Sequence, residues 1–148
     1  MKSSTGVRHA QPVGGQKAHR VLLVEDHAPL AEATAEFMRS AGLEVRIASS
    51  GQDALTEAAA FQPEIVLCDM RLQDMSGLAV ARALRTIPGA SRALIAMHSA
   101  MTETDLPMLE RIDAPEVNLF LTKPLTETKL ETLISRLHAF QRAARRSK

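Results

Sequence analysis

The sequence has one cysteine, Cys68, and contains neither tryptophan nor tyrosine. One cysteine excludes an internal disulfide bond and a zinc site built from several cysteines. It also favours a cytoplasmic location. With four phenylalanines as the remaining aromatic residues, the chain offers few platforms on which single-stranded nucleic acid could stack. The composition therefore predicts neither a disulfide scaffold nor a binder of single-stranded nucleic acid.

Long apolar runs and excess charge of one sign are also missing. No apolar stretch approaches the roughly 20 residues needed to cross a bilayer, and no apolar segment follows Lys2 and Arg8 as a secretory signal requires. The formal net charge is +1. The single basic run, at 142–148, is typical of a solvated helix end. We therefore expect no direct contact with nucleic acid or with a membrane.

What the 148 residues do contain is enough apolar sequence for one globular domain, at 45% hydrophobic and 24% charged. After a flexible tail expected over residues 1–19, short apolar runs alternate with helical patterns. The predicted strands are 20–24, 43–48, 64–68, 93–98 and 117–121. The predicted helices are 30–41, 51–61, 77–86, 102–112 and 130–140. This alternation predicts an α/β fold with a parallel sheet covered on both faces. The domain is expected over 20–142, followed by a basic tail at 143–148. Met1 and the two tails suggest a complete, single-domain gene product.

Polar residues stand where four of the apolar runs end. They are Glu25 with Asp26, Asp69, Ser99 and Lys123. The carboxyl ends of parallel strands meet along one edge of a sheet, where such folds bind ligands. Each residue alone has a plain explanation as a loop or helix-capping residue, but their joint occurrence at the same end of different strands favours one site.

The chemistry of this set fits a divalent cation and a phosphoryl group. Mg²⁺ prefers oxygen ligands from carboxylates, and three clustered carboxylates repel one another unless a cation is present. A carboxylate can also act as a nucleophile and become an aspartyl phosphate. Lys123 would then pair with a phosphoryl oxygen, and the Ser99 hydroxyl could donate a hydrogen bond to another.

These residues resemble the response-regulator receiver domain of two-component signalling. The matching motifs are V-L-L-V-E-D at 21–26, I-V-L-C-D-M-R-L at 65–72, S-G at 76–77, S-A at 99–100 and K-P at 123–124. The resemblance covers about residues 20–142. It implies the doubly wound, flavodoxin-like (βα)5 fold with strand order 2-1-3-4-5.

The resemblance also implies roles for individual residues. Asp69 is the expected phosphoacceptor, and Lys123 is the lysine that assists it. Glu25, Asp26, Asp69 and the backbone carbonyl of Arg71 are the expected Mg²⁺ ligands. Ser99 and Phe120 match the switch hydroxyl and the switch aromatic residue, and the bond between Lys123 and Pro124 is often cis in the family. His98, next to Ser99, is expected to be a hydrogen-bonded core residue pointing the other way.

By the same resemblance, the phosphoryl donor is a sensor histidine kinase or a histidine phosphotransfer protein. The output is contact with a protein partner, with a homodimer as one possibility. Such a protein assists its own phosphorylation and is not an enzyme with a separate substrate.

The sequence departs from the family pattern at two places. Gln73 stands where the family usually has proline after D-x-x-L, which predicts a less rigid loop after Asp69. The segment before the last strand contains Pro107 and the sequence D-A-P-E at 113–116, so the fourth helix and its loop are expected to be remodelled.

Three other functions remain open. A pseudo-receiver would fold in the same way and bind a protein without being phosphorylated. A Mg²⁺-dependent phosphohydrolase is disfavoured because Arg71 stands where such enzymes have the second aspartate of D-x-D. A nucleotide or flavin binder is disfavoured because no glycine-rich phosphate loop follows Val24.

Overall fold

The computed structural model describes residues 17–100 and 113–146 of the chain. In chain order the elements are β1 (Arg20–Val24), α1 (Ala28–Ser40), β2 (Glu44–Ala48), α2 (Gly51–Phe61), β3 (Ile65–Asp69), α3 (Gly77–Leu84), β4 (Leu94–Ser99), β5 (Leu119–Thr122) and α4 (Glu127–Arg146). The strands form one five-stranded sheet in the order β2-β1-β3-β4-β5, and all four pairings are parallel. The predicted fold class and strand order are confirmed.

Helices cover both faces of the sheet, and successive strand residues point to opposite faces. On one face, Val21 and Leu23 pack with α1 and α4. On the other, Leu22 and Val24 pack with α2 and α3. This arrangement explains why the strands have continuous apolar sequences. Of the helices that the structure describes, none combines the length and the apolar character needed to cross a membrane.

The last strand and the third helix are shorter than predicted. β5 begins at Leu119 instead of residue 117, because the side-chain oxygen of Asn118 accepts the hydrogen bond of the Ile95 amide at 2.8 Å. α3 ends at Leu84 instead of residue 86. Its last turn tightens into i→i−3 hydrogen bonds, and Pro88 disfavours helical backbone in the residue before it.

Two predicted segments fall wholly or partly outside the described residues. The predicted helix at 102–112, with Pro107, lies outside them, as do residues 1–16 of the expected N-terminal tail. At the other end α4 continues to Arg146, so residues 143–146 of the expected basic tail are helical.

Three of the strands lead through loops of two to seven residues to the start of a helix. His27, Ser50 and Ser76 cap α1, α2 and α3, and each accepts a hydrogen bond from a backbone amide three residues ahead. These connections bring helix N-termini next to the polar residues that end the strands.

Candidate functional site

The parallel register brings the predicted site residues to one edge of the sheet. Val24 pairs with Cys68, and Asp69 pairs with His98 on the next strand. Ser99 pairs in turn with Thr122, directly before Lys123. Asp69 and Ser99 are the last residues of their strands, one position later than predicted. The polar residues that were predicted at strand ends therefore all lie at the carboxyl ends of the strands. They are Glu25, Asp26, Asp69, Ser99 and Lys123.

Glu25, Asp26 and Asp69 form a compact acidic cluster. One oxygen of each carboxylate lies within 4.8 Å of the others. Glu25 is buried at 4% exposure, whereas the other two carboxylates are half-buried and reach solvent. Three oxygen donors at this spacing match the ligands that Mg²⁺ prefers, and the half-buried pair leaves access for water and phosphate. The residues present therefore fit a magnesium site.

The ammonium group of Lys123 lies between two of these carboxylates. Its Nζ atom is 2.7 Å from Oε1 of Glu25 and 3.2 Å from Oδ2 of Asp69. Burial by itself lowers the pKa of Lys123, but the hydrogen bonds and negative charges of Glu25 and Asp69 outweigh burial and raise it. Lys123 is therefore a fixed positive charge beside Asp69.

Backbone amides orient the same three carboxylates. The amide of His27 donates to Oε2 of Glu25 at 3.1 Å. The amide of Arg71 donates to Oδ1 of Asp69 at 3.1 Å. The third contact crosses to another loop, because the amide of Gln73 donates to Oδ2 of Asp26 at 2.9 Å. Each carboxylate is thus held by a group that the sequence pattern did not reveal.

The loop that follows Asp69 is anchored at two further points. Asp74 accepts hydrogen bonds from the amides of Gly51 and Gln52, both at 2.9 Å, at the start of α2. These bonds lower the pKa of Asp74. At the end of the loop, the Gly77 amide donates to the Met70 carbonyl at 2.8 Å. The loop containing Gln73 is therefore attached to both α2 and β3.

Ser99 and Phe120 lie on the same face of the sheet. Phe120 pairs in register with Met97, which is two residues before Ser99 on β4 and so shares its face. Ser99 is buried, and its carbonyl accepts the Lys123 amide at 2.6 Å. Phe120 is half-buried against the core between the sheet and α3. The cis bond expected between Lys123 and Pro124 is confirmed.

His98 and Cys68 are buried in the strands that lead to the site. Burial and the nearby Lys123 lower the pKa of His98 to about 4. The Nε2 atom of His98 has no hydrogen-bond partner in the part of the chain that the structure describes, which corrects the expected hydrogen bonding at that atom. Burial and the charge of Asp69 raise the pKa of the Cys68 thiol. Cys68 is therefore a small buried core residue.

Comparison with known proteins gives a consistent result. Residues 21–135 match the family model described as "Response regulator receiver domain". A response regulator receiver protein of Anaeromyxobacter sp. is 42% identical over 82 residues, which are 55% of this chain and 34% of that protein. The cell cycle transcriptional regulator CtrA of Caulobacter vibrioides is 29% identical over 129 residues, which are 87% of this chain and 52% of that protein. The matches thus span between a third and about half of the length of these two relatives.

The fold is also found among solved structures. A CheY-like response regulator receiver domain protein of Methanospirillum hungatei superposes with a TM-score of 0.71 at 20% identity. The match covers 86% of this chain and 99% of that one.

Proposed function

Because this chain belongs to the family of response regulator receiver domains, which are signalling phosphoacceptor modules, we propose that Asp69 accepts a phosphoryl group from a phosphohistidine donor. The donor is a sensor histidine kinase or a histidine phosphotransfer protein. The observation that carries the proposal is the position of Lys123 Nζ, 3.2 Å from the Asp69 carboxylate, beside a cluster of three carboxylates.

The proposed reaction is a transfer between two side chains. A carboxylate oxygen of Asp69 attacks the phosphorus atom, a new P–O bond forms, and the P–N bond to the donor imidazole breaks. The donor histidine leaves with the electron pair of that bond and takes up a proton. Asp69 is then an acyl phosphate, and no separate substrate is turned over, so the protein is a phosphoacceptor rather than an enzyme.

The residues around Asp69 supply orientation and charge. The Arg71 amide holds one oxygen of Asp69, while Lys123 contacts the other and pairs with an oxygen of the phosphoryl group. Glu25, Asp26, Asp69 and the backbone carbonyl of Arg71 would hold Mg²⁺, which when bound offsets the negative charge of the carboxylates and of the phosphoryl group.

The signal is proposed to pass through Ser99 and Phe120. The Ser99 hydroxyl moves toward the phosphoryl oxygen. The half-buried Phe120 ring then moves from its present position into the space next to Ser99. The new surface at β4 and β5 contacts a downstream protein partner in the cytoplasm. The shared sheet face and the register of the two residues support this route.

Intact mass spectrometry with acetyl phosphate tests the proposal. We expect the wild-type chain to gain the mass of one phosphoryl group with Mg²⁺ and much less with EDTA. Asp69→Ala should gain none, whereas Asp53→Asn, which changes a carboxylate at the start of α2, should behave like wild type.

A second donor separates the remaining outcomes. A chain that is not phosphorylated by acetyl phosphate but is phosphorylated at Asp69 by phosphorylated histidine kinases still supports the proposal. If neither donor labels it, the phosphoacceptor function is rejected in favour of a pseudo-receiver that binds its partner without phosphorylation.

A further inference from the structure

Two histidines that are far apart in the sequence face each other near the amino-terminal ends of the strands, opposite the carboxylate cluster. His19 directly precedes β1, and His138 lies on α4. Their Nε2 atoms are 3.4 Å apart, while the ring centroids are 5.5 Å apart. The nitrogens are closer than the rings, so both Nε2 atoms lie in the gap between the imidazoles. His138 is exposed and His19 is half-buried, so the gap is open to solvent.

A carboxylate holds the far side of the first imidazole. Oε2 of Glu64 is 3.3 Å from Nδ1 of His19. Glu64 is itself fixed, because its Oε1 atom accepts the Arg20 amide and its Oε2 atom accepts the side chain of Gln141, both at 3.1 Å. A carboxylate at Nδ1 keeps the proton on that nitrogen. The lone pair of His19 is therefore on Nε2 and points toward His138.

This arrangement has the parts of a transition-metal site. A tetrahedral metal ion with nitrogen ligands at about 2.0–2.1 Å separates two ligand atoms by roughly 3.4 Å. The same separation is longer than the usual donor–acceptor distance of protein N–H···O hydrogen bonds, about 2.7–3.2 Å. Metal-binding histidines commonly donate their second N–H to a carboxylate, which fixes the tautomer and the ring orientation. Glu64 stands in that position.

We propose that His19 and His138 bind one divalent transition-metal ion, such as Zn²⁺, through their Nε2 atoms, with Glu64 orienting His19. Water completes the coordination on the exposed side. Imidazole ligands favour Zn²⁺, Cu²⁺ or Ni²⁺ over Mg²⁺, so this site and the carboxylate cluster select different ions. The neighbouring cation Arg20 donates from Nε to the Gln62 carbonyl at 2.9 Å, and its Nη1 atom is 4.0 Å from Oε1 of Glu64, the oxygen that does not face His19.

The bound ion would connect the segment before β1 to the last helix. The two ligands are 119 residues apart in the sequence. An ion that binds only when both elements are in place stabilises the packing of α4 against the sheet by mass action. The concentration of the free metal ion would then determine the stability of the packing of α4 against the sheet, independently of phosphorylation at Asp69.

Calorimetric titration of the full chain with ZnCl₂ tests the site. Excess Mg²⁺ is present to occupy the carboxylate cluster. We expect one Zn²⁺ per chain in wild type. His138→Gln and His19→Gln should weaken binding by at least about tenfold, and Glu64→Gln by about 10- to 100-fold, the usual effect of removing an orienting partner. Ser135→Ala is the control, because Ser135 is an exposed residue of the same helix and has no imidazole. This variant should bind Zn²⁺ like wild type.

Thermal melting gives a second readout. Zn²⁺ should raise the melting temperature of wild type and of Ser135→Ala but not of His138→Gln. His138 is exposed, and circular dichroism checks that the variant is folded. Equal Zn²⁺ affinity in wild type and His138→Gln overturns the proposal. So does a wild-type chain that binds no Zn²⁺, in which case the two histidines share only a proton.

Discussion

Lys123 Nζ lies 2.7 Å from Oε1 of Glu25, a carboxylate that is only 4% exposed. This contact is shorter than the 3.2 Å contact of the same ammonium group with Asp69. Lys123 is therefore the internal cation of the acidic cluster when no metal is bound. A divalent cation entering the cluster meets that positive charge, so the lysine that is expected to assist phosphorylation also weakens metal binding.

Lys123→Met should separate these two effects. The metal-free variant should be less stable by about 3 kcal/mol, because breaking a buried ion pair leaves Glu25 without its partner. Its Mg²⁺ affinity should rise by about tenfold, since one positive charge near a divalent ion is removed. Phosphorylation by acetyl phosphate should fall. Urea unfolding without Mg²⁺ measures the stability, and its change with added Mg²⁺ measures the Mg²⁺ affinity. Mass spectrometry measures the phosphorylation.

Lys129→Met is the control for this experiment. Lys129 is a cation of the same region, but its Nζ atom contacts the hydroxyl and carbonyl of Thr122 rather than a carboxylate. We expect its Mg²⁺ affinity to stay near that of wild type. A Lys123→Met variant that binds Mg²⁺ more weakly than wild type would contradict the assignment of Lys123 as the competing cation.

Gly77 allows α3 to begin against the end of β3. A Cβ atom at this position would overlap the Asp69 carbonyl oxygen and lie 2.9 Å from the Cα atom of Met70. Gly77→Ala should therefore cost about 2–3 kcal/mol in the free energy of unfolding and should slow phosphorylation by displacing Asp69. Gly89→Ala, whose nearest contacts are 3.0–3.3 Å, should cost less than half as much. Similar losses in urea denaturation would argue against the close approach at Gly77.

Arg85 joins α3 to the loop before β5. All five of its donor hydrogens have acceptors, because its side chain contacts the carbonyls of Ser91, Ala93 and Glu116 and the side chain of Asn118. Lysine has one ammonium group and cannot reach these acceptors together. Arg85→Lys should lower the free energy of unfolding by about 2–3 kcal/mol. Arg82 has a side chain that is 57% exposed, with Nε 3.7 Å from Oε1 of Glu116. Arg82→Lys, which keeps the charge, should change the free energy of unfolding by less than about 0.5 kcal/mol.

The fold and the meeting of the site residues were predictable because both follow from local patterns. Alternating apolar runs define the strands, and a parallel sheet then places Asp69 and Lys123 at the same edge whatever lies between them. The capping residues His27 and Ser50 were also predictable, since a cap acts within three residues of itself.

The contacts that fix the site were not predictable, because they join residues that no periodic pattern relates. Asp74 binds the start of α2 from a loop more than 20 residues away, and an exposed aspartate in a loop carries no sign of such a partner. The late start of β5 has the same origin, since the Asn118 side chain, in place of a backbone carbonyl, accepts the Ile95 amide, while the Ile95 carbonyl still accepts the Asn118 amide. Such contacts depend on how the elements pack.

The Gln73 amide gives a direct test of one of these contacts. Proline, which the family usually has here, lacks the N–H that Gln73 donates to Asp26. Gln73→Pro should therefore weaken Mg²⁺ binding by about tenfold through loss of an orienting partner. Gln73→Ala keeps the amide and should bind Mg²⁺ like wild type. Isothermal titration of both variants makes the comparison, and equal affinities would assign no role to this hydrogen bond.

His98 should make the stability of the protein depend on pH. Its pKa is about 4 in the folded chain, because burial and Lys123 oppose its charge, and 6.5 in the unfolded chain. Between these values the unfolded state binds more protons, so this contribution to stability is present above pH 6.5 and is lost as the pH falls toward 4. From pH 7 to pH 5, in EDTA, wild type should lose about 2 kcal/mol more than His98→Leu, which cannot titrate. If His98→Leu shows the wild-type slope in urea unfolding, the buried histidine is not the source of the pH dependence.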